Sequence, residues 1–126
     1  MAELTKEQVE TIESLRRAFR ERLPHRVEEV VAAAEDLLGA DEWERPKLEA
    51  LFHLVHRLTG SSGIYGFTRM SHEAGALEAL VTRALEENLP ATAPLRAELR
   101  RLVLTLSQTG AEDAPLQKAE GTKSEG

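Results

Sequence analysis

Residues 48–62, with the sequence LEALFHLVHRLTGSS, decide the fold class of this chain. Their apolar positions recur at spacings of three and four, which is the period of an α-helix with one buried face. Four other segments show the same period, and no segment shows the alternating β-branched pattern of a strand. By segment, the apolar positions are Val9, Ile12, Leu15 and Phe19; Val27, Val30, Val31, Ala34, Leu37 and Leu38; Leu48, Leu51, Phe52, Val55 and Leu58; Met70, Ala74, Leu77, Val81 and Leu85; and Leu95, Leu99, Leu102, Val103 and Leu106.

Short connections separate these segments, so consecutive helices are expected to run antiparallel. Segments two to five therefore predict an all-α fold, an up-down-up-down antiparallel four-helix bundle. Pro24 stands between the first two segments and predicts a break or a kink. We therefore treat the first segment as an extra N-terminal helix. The helical period stops after Gly110. We thus predict one helical domain over residues 1–110, followed by a disordered tail or linker over residues 111–126, whose composition is small, polar and charged.

Composition argues against several classes of function. The formal net charge of −6 disfavours nucleic acid as a partner, because a phosphate backbone attracts a basic surface. The chain has no cysteine, which excludes disulfide bonds and thiolate metal sites. Neither a signal peptide nor an apolar stretch of about 20 residues, the length that spans a bilayer, is visible. We expect a cytoplasmic monomer that does not associate with a membrane.

His56 is the candidate functional residue of the third helix. It projects about 100° from the centre of the apolar face, at the border of that face. A histidine at such a border buries one edge of its ring and exposes the other, and a neutral imidazole with an exposed lone pair can accept a phosphoryl group. Gly60 lies one turn further on and leaves space beside the ring. A glycine inside a helix costs about 1 kcal/mol relative to alanine, so its presence here indicates a steric requirement.

Glu78 is the second candidate. It projects about 60° from the centre of the apolar face of the fourth helix, where partial burial is expected. A carboxylate in that position needs a polar partner. His56 on the facing helix fits this need: Glu78 would accept a hydrogen bond from Nδ1–H, fix the tautomer of the ring and leave Nε2 free to react.

These residues form a motif that resembles the histidine phosphotransfer (HPt) family. The matching positions are His56, Leu58, Gly60, Ser61, Gly66, Phe67, Met70, Leu77 and Glu78. The Gly-Phe pair, and the spacing of 22 residues between His56 and Glu78, are most similar to the phosphotransfer domain of chemotaxis-type histidine kinases. By this resemblance His56 is the phosphoacceptor and Glu78 its orienting hydrogen-bond partner. The chain departs from the family at Thr59, where a lysine is common.

The resemblance also implies a function. The chain would be a phosphoryl carrier of a two-component phosphorelay rather than an enzyme. It would receive the phosphoryl group from a histidine kinase or a receiver domain and pass it to a response-regulator aspartate. No cofactor is implied on this chain, and Mg²⁺ is expected in the partner's active site. The docking surface would include His53, Arg57, Thr59, Gly60 and Gly63.

Other interpretations of these residues remain open. His56 could be a surface histidine without a role, or it could bind a metal ion together with His53 and Glu49, although further inward-facing ligands are missing. The chain could instead be a non-phosphorylated helical docking or regulatory domain. The segment 60–63 is not a phosphate-binding loop, because no Lys-Ser or Lys-Thr pair follows it.

Overall fold

The computed structural model describes residues 3–113, which form four α-helices and no strand. The helices are α1 (Lys6–Leu38), α2 (Arg45–Ile64), α3 (Thr68–Glu87) and α4 (Ala93–Glu112). α1 and α3 each pack against α2 and α4, and within these residues neither diagonal pair is in contact. Joined by short connections, the helices form an up-down-up-down bundle, which confirms the predicted all-α four-helix fold. None of the four helices has the length and apolarity required to cross a membrane.

α1 is a single helix of 33 residues that contains both of the first two predicted segments. Pro24 lies inside it and does not end it. Inside a helix, proline removes one backbone hydrogen bond and its ring crowds the carbonyl group four residues earlier, although its φ is helical. The buried residues on either side, Leu23 and Val27, nevertheless keep the same face of the helix against the bundle. The predicted extra N-terminal helix is therefore the first half of α1 and not a separate element.

Only the second half of α1 belongs to the bundle. Residues 3–17 are all exposed, and continuous burial begins with Phe19. The Phe19 ring packs against Tyr65 and Phe67 of the α2–α3 connection, with ring centroids 5.2 and 5.4 Å apart. The first three turns of α1 consequently project beyond the other helices.

The apolar positions predicted for segments two to five are all buried or half-buried in one core. Each helix turns its apolar face towards the centre of the bundle, so the residues that recur with the helical period are the ones that pack in the core. The largest fully buried side chains are Phe19, Leu23, Leu37, Leu51, Leu58, Met70, Leu77, Leu99 and Leu106.

The predicted boundary at residue 110 falls just inside the last helix, since α4 continues to Glu112. Burial raises the pKa of the Asp113 carboxyl at this end of α4, and the charge of Arg20 partly opposes that shift. Residues 114–126, most of the predicted tail, lie outside the described residues.

Arg96 joins the two connections at the other end of the bundle. Its guanidinium group donates hydrogen bonds to the carbonyl oxygen of Ala91, which precedes α4. It also donates to the carbonyl oxygens of Leu38, the last residue of α1, and of Ala40 and Asp41, which follow it. The planar guanidinium fork can reach several carbonyls at once. These carbonyls have no partner inside a helix, so Arg96 satisfies groups that would otherwise be costly to bury.

Replacement of Arg96 tests this contribution to stability. We expect Arg96→Met to lower the free energy of unfolding by about 2–3 kcal/mol, because several carbonyls lose a charged donor. Arg100→Met is the matched control, since Arg100 is exposed on the same helix, and we expect a change within about 0.5 kcal/mol. Urea unfolding followed by circular dichroism measures both, and equal effects of the two variants would contradict the assigned role.

Candidate functional site

His56 on α2 and Glu78 on α3 face each other across the helix interface. The His56 Nδ1 atom lies 2.7 Å from Glu78 Oε2. A carboxylate can only accept a hydrogen bond, so Nδ1 carries the proton. The His56 side chain is 64% exposed, whereas that of Glu78 is 21% exposed. The bundle thus holds one ring nitrogen and leaves Nε2, with its lone pair, on the exposed side.

The ring of Phe52 packs against one face of the His56 imidazole. Phe52 lies one turn before His56, with ring centroids 5.4 Å apart and ring planes inclined by only 14°, an offset-stacked arrangement. Phe52 is half-buried and packs against the core. The stacking restricts the plane of the imidazole while Glu78 restricts its rotation within that plane. Together the two contacts set the direction of Nε2.

The sequence places Phe52 on the apolar face of its helix but does not predict this contact. The available signal was the spacing of four residues between Phe52 and His56, which places their side chains beside each other on a helix. Periodicity alone could not choose between a ring turned fully into the core and one turned towards the histidine.

α2 and α3 approach each other closely one turn beyond His56. The Ser71 hydroxyl on α3 donates a 2.9 Å hydrogen bond to the carbonyl oxygen of Thr59 on α2. A Cβ atom on Gly63 would lie 3.2 Å from Ser71 Oγ, and one on Gly75 would lie 3.8 Å from the Thr59 methyl group. At Gly63 a larger residue would press on the Ser71 side chain, whereas at Gly75 a methyl group would make an ordinary contact. The tight packing of α2 on α3 is therefore at Gly63 and Ser71, two turns along α2 from His56.

Gly60 differs from Gly63 in its surroundings. A Cβ atom on Gly60 would meet no atom within 4 Å. The bundle itself has no steric need for glycine at this position, although a helix is more stable with alanine there.

The remaining predicted docking positions lie on or near this surface. His53, Arg57, Gly60 and Gly63 are exposed, and Thr59 is half-buried. The Thr59 hydroxyl donates to the Val55 carbonyl oxygen at 2.9 Å, so this side chain is turned back on its own helix.

The alternative of a metal site finds no support in this geometry. Within residues 3–113, no three histidine, aspartate or glutamate side chains lie close enough together to hold a metal ion. His53 instead packs edge-on against Phe52, with ring centroids 5.5 Å apart.

A family model described as Hpt domain matches residues 6–109, a span that includes His56 and Glu78. The chain belongs to the Hpt family. An Hpt domain is a histidine-phosphotransfer module of two-component phosphorelays and interacts with kinases and receiver domains. Comparison with curated proteins and with solved structures found no match.

Gly60 and Gly63 give a paired stability test. We expect Gly60→Ala to raise the free energy of unfolding by about 1 kcal/mol, since the new methyl group meets open space and alanine favours the helix. Gly63→Ala should gain less or lose, because its Cβ would press on the Ser71 hydroxyl that bonds Thr59. Urea unfolding measures the free energy of unfolding of both variants. Equal gains in stability would mean that α2 and α3 can move apart at Gly63 without cost.

Proposed function

We propose that His56 is the phosphoacceptor of this Hpt domain and that Glu78 orients it. The hydrogen bond from Nδ1 to Glu78 on a ring that stays 64% exposed is the observation that supports this best. A surface histidine without a role needs no carboxylate held at 21% exposure on the neighbouring helix. The arrangement suits a nucleophile that is fixed on one side and open on the other.

In the forward step, the Nε2 lone pair attacks the phosphorus atom of the donor. A P–N bond forms as the P–O bond to the donor breaks, and the donor oxygen leaves with the bonding electrons. The phosphorylated ring keeps its proton on Nδ1 and carries a positive charge, which the Glu78 carboxylate stabilises. In the return step, an aspartate oxygen of the acceptor attacks the phosphorus atom, the P–N bond breaks and Nε2 regains its lone pair.

The partners provide the remaining catalytic groups in this proposal. Phosphoryl transfer depends mainly on positioning and on neutralisation of the phosphoryl oxygens. Thr59 stands where a lysine is common, and its side chain carries no positive charge. Its hydroxyl donates a hydrogen bond to the Val55 carbonyl oxygen on its own helix. We therefore assign Mg²⁺ and the cationic groups to the active site of a histidine kinase or a receiver domain. The chain acts as a carrier without a cofactor of its own and not as an enzyme, and we place it in the cytoplasm from its composition.

Partner docking would use the exposed surface around the ring, formed by His53, Arg57, Thr59, Gly60 and Gly63. The donor phosphorus must come within bonding distance of Nε2, so bulky groups beside the ring would prevent transfer. Gly60 has no side chain, and the space that its Cβ atom would occupy is open. Access by the partner thus accounts for a glycine that the bundle does not need.

A labelling experiment tests the acceptor. We expect His56→Gln to abolish the acid-labile phosphate that a histidine kinase and radiolabelled ATP introduce, because the attacking nitrogen is gone. His53→Gln is the matched control, since His53 is also exposed and also contacts Phe52, and it should retain labelling. Label that survives in His56→Gln and disappears in His53→Gln would move the site to His53. A wild-type chain that binds a kinase without becoming labelled would favour the alternative, a non-phosphorylated docking domain.

The orienting role of Glu78 is testable without any partner. Phosphoramidate donates its phosphoryl group directly to imidazole, so its rate reports the ring alone. We expect Glu78→Ala to slow this reaction by about 10-fold, the lower end of the loss seen when partners that orient metal-binding histidines are removed. Glu78→Gln keeps an acceptor oxygen and should retain part of the rate.

The control for this experiment is Glu86→Ala, an exposed carboxylate on the same helix, which should react at the wild-type rate. Nitrogen-15 NMR of the His56 ring should show the proton on Nδ1 in the wild-type chain and a shift towards the other tautomer in Glu78→Ala. Unchanged rate and tautomer in Glu78→Ala would show that Glu78 has no orienting role.

A further inference from the structure

One face of the His56 ring is covered by an aromatic side chain. The Phe52 and His56 ring centroids lie 5.4 Å apart, and the two ring planes are inclined by 14°. Phe52 is itself half-buried against the core, so the bundle holds its ring in place. The imidazole is therefore bounded by a phenyl ring on one face and by the Glu78 carboxylate at Nδ1, while its Nε2 edge is open.

The charge of this imidazole changes when it carries a phosphoryl group, a step that rests on the function proposed above for His56. The free ring has one proton, on Nδ1, and a lone pair on Nε2, so it is neutral. When Nε2 is bonded to phosphorus, Glu78 keeps the proton on Nδ1, and both ring nitrogens then have three substituents. The phosphorylated ring is therefore a positively charged imidazolium, and the negative phosphoryl oxygens lie beyond its Nε2 edge.

The face of an aromatic ring responds to that difference in charge. It is the negative side of the ring quadrupole, and it attracts a cation that lies within about 6 Å of the ring centroid. The separation of 5.4 Å between Phe52 and His56 meets this condition. The bond from Nε2 to phosphorus lies in the plane of the imidazole. Because the two ring planes are nearly parallel, the phosphoryl group extends alongside the Phe52 plane and not into it.

We propose that Phe52 stabilises the phosphorylated form of His56 relative to the free form. Phe52 thereby raises the share of the chain that carries a phosphoryl group at equilibrium with a donor. It acts through the imidazole and does not touch the phosphoryl group. This role differs from orientation of the ring. A residue that only orients Nε2 lowers the barrier to transfer in both directions and changes both rates by the same factor. A residue that stabilises the phosphorylated ring changes the ratio of the two rates.

A reversible exchange with imidazole measures this ratio without a partner protein. N-phosphoimidazole, protonated on its second nitrogen, donates its phosphoryl group to Nε2 of His56. The P–N bond of the donor breaks as the new P–N bond forms, and the bonding electron pair stays on the donor nitrogen. A neutral imidazole leaves, and the positive charge passes to the His56 ring. Donor and acceptor are both imidazoles, so the equilibrium constant reports the surroundings of His56.

Replacement of Phe52 tests the proposal. Phosphorus-31 NMR gives the forward rate constant with N-phosphoimidazole and the return rate constant of the phosphorylated chain in excess imidazole. We expect Phe52→Leu to lower the ratio of forward to return rate about two- to five-fold, the size of a cation–π contact at an exposed site. Phe52→Tyr keeps the aromatic face and should keep the wild-type ratio. An unchanged ratio in Phe52→Leu, even with slower rates, overturns the proposal, and so does an equal loss in Phe52→Tyr.

Leu54→Ala is the matched control for packing. Leu54 is also half-buried on α2, and side chains two residues apart on a helix do not face each other. This variant should lose stability and keep the wild-type ratio. A ratio that falls in Leu54→Ala as far as in Phe52→Leu would assign the effect to loosened packing and would overturn the proposal.

His56→Gln separates this result from a failure of the proposed function. The other histidines, His25, His53 and His72, are exposed as well, so only phosphorylation in excess of the His56→Gln level is assigned to His56. A wild-type chain without such an excess would show that His56 is not the acceptor, and both proposals would fall. A wild-type chain with the excess, and with the same ratio as Phe52→Leu, would overturn the role of Phe52 alone.

Discussion

The close approach of α2 and α3 is the constraint on which the site depends. Gly63 leaves room for the Ser71 side chain, and the Ser71 hydroxyl donates a hydrogen bond to the Thr59 carbonyl oxygen, which joins the two helices. Across the same interface, Glu78 Oε2 lies 2.7 Å from His56 Nδ1. A side chain on a helix has few rotamers and a short reach. At a wider interface the Glu78 carboxylate and the His56 ring would therefore form hydrogen bonds with water and not with each other. The surroundings of the His56–Glu78 contact thus include small residues, Gly63 and Ser71, that do not belong to the pair itself.

Much of the fold and the central pair of the site could be predicted from the sequence, because both follow from helical geometry. Apolar residues at a period of 3.6 identify the buried faces, and the same projection places His56 and Glu78 at the borders of two such faces. Helices in this bundle pack nearly antiparallel, so residues at facing borders come into reach of each other. The contact between them was therefore predictable, although its length and the exposure of each side chain were not.

The features that could not be predicted from the sequence depend on how neighbouring side chains pack in three dimensions, which can override a local preference. Pro24 predicts a break by its local chemistry, and the burial of Leu23 and Val27 keeps α1 continuous through it. The stacking of Phe52 on the imidazole and the hydrogen bonds of Arg96 to the connections depend on side-chain rotamers. Residue spacing gives the direction of a Cα–Cβ bond but leaves open where a long side chain ends.

In the proposed role of His56 as phosphoacceptor, the single open edge of its ring has a consequence for the order of events in a relay. One nitrogen faces outwards, and the other is held by the bundle. A donor and an acceptor that both require this edge exclude each other, so the first must dissociate before the second can bind. Slow dissociation of either complex would then delay the next transfer. A partner that binds this chain tightly would keep the next partner away from Nε2. Rapid transfer therefore requires that the donor and the acceptor both bind with modest affinity.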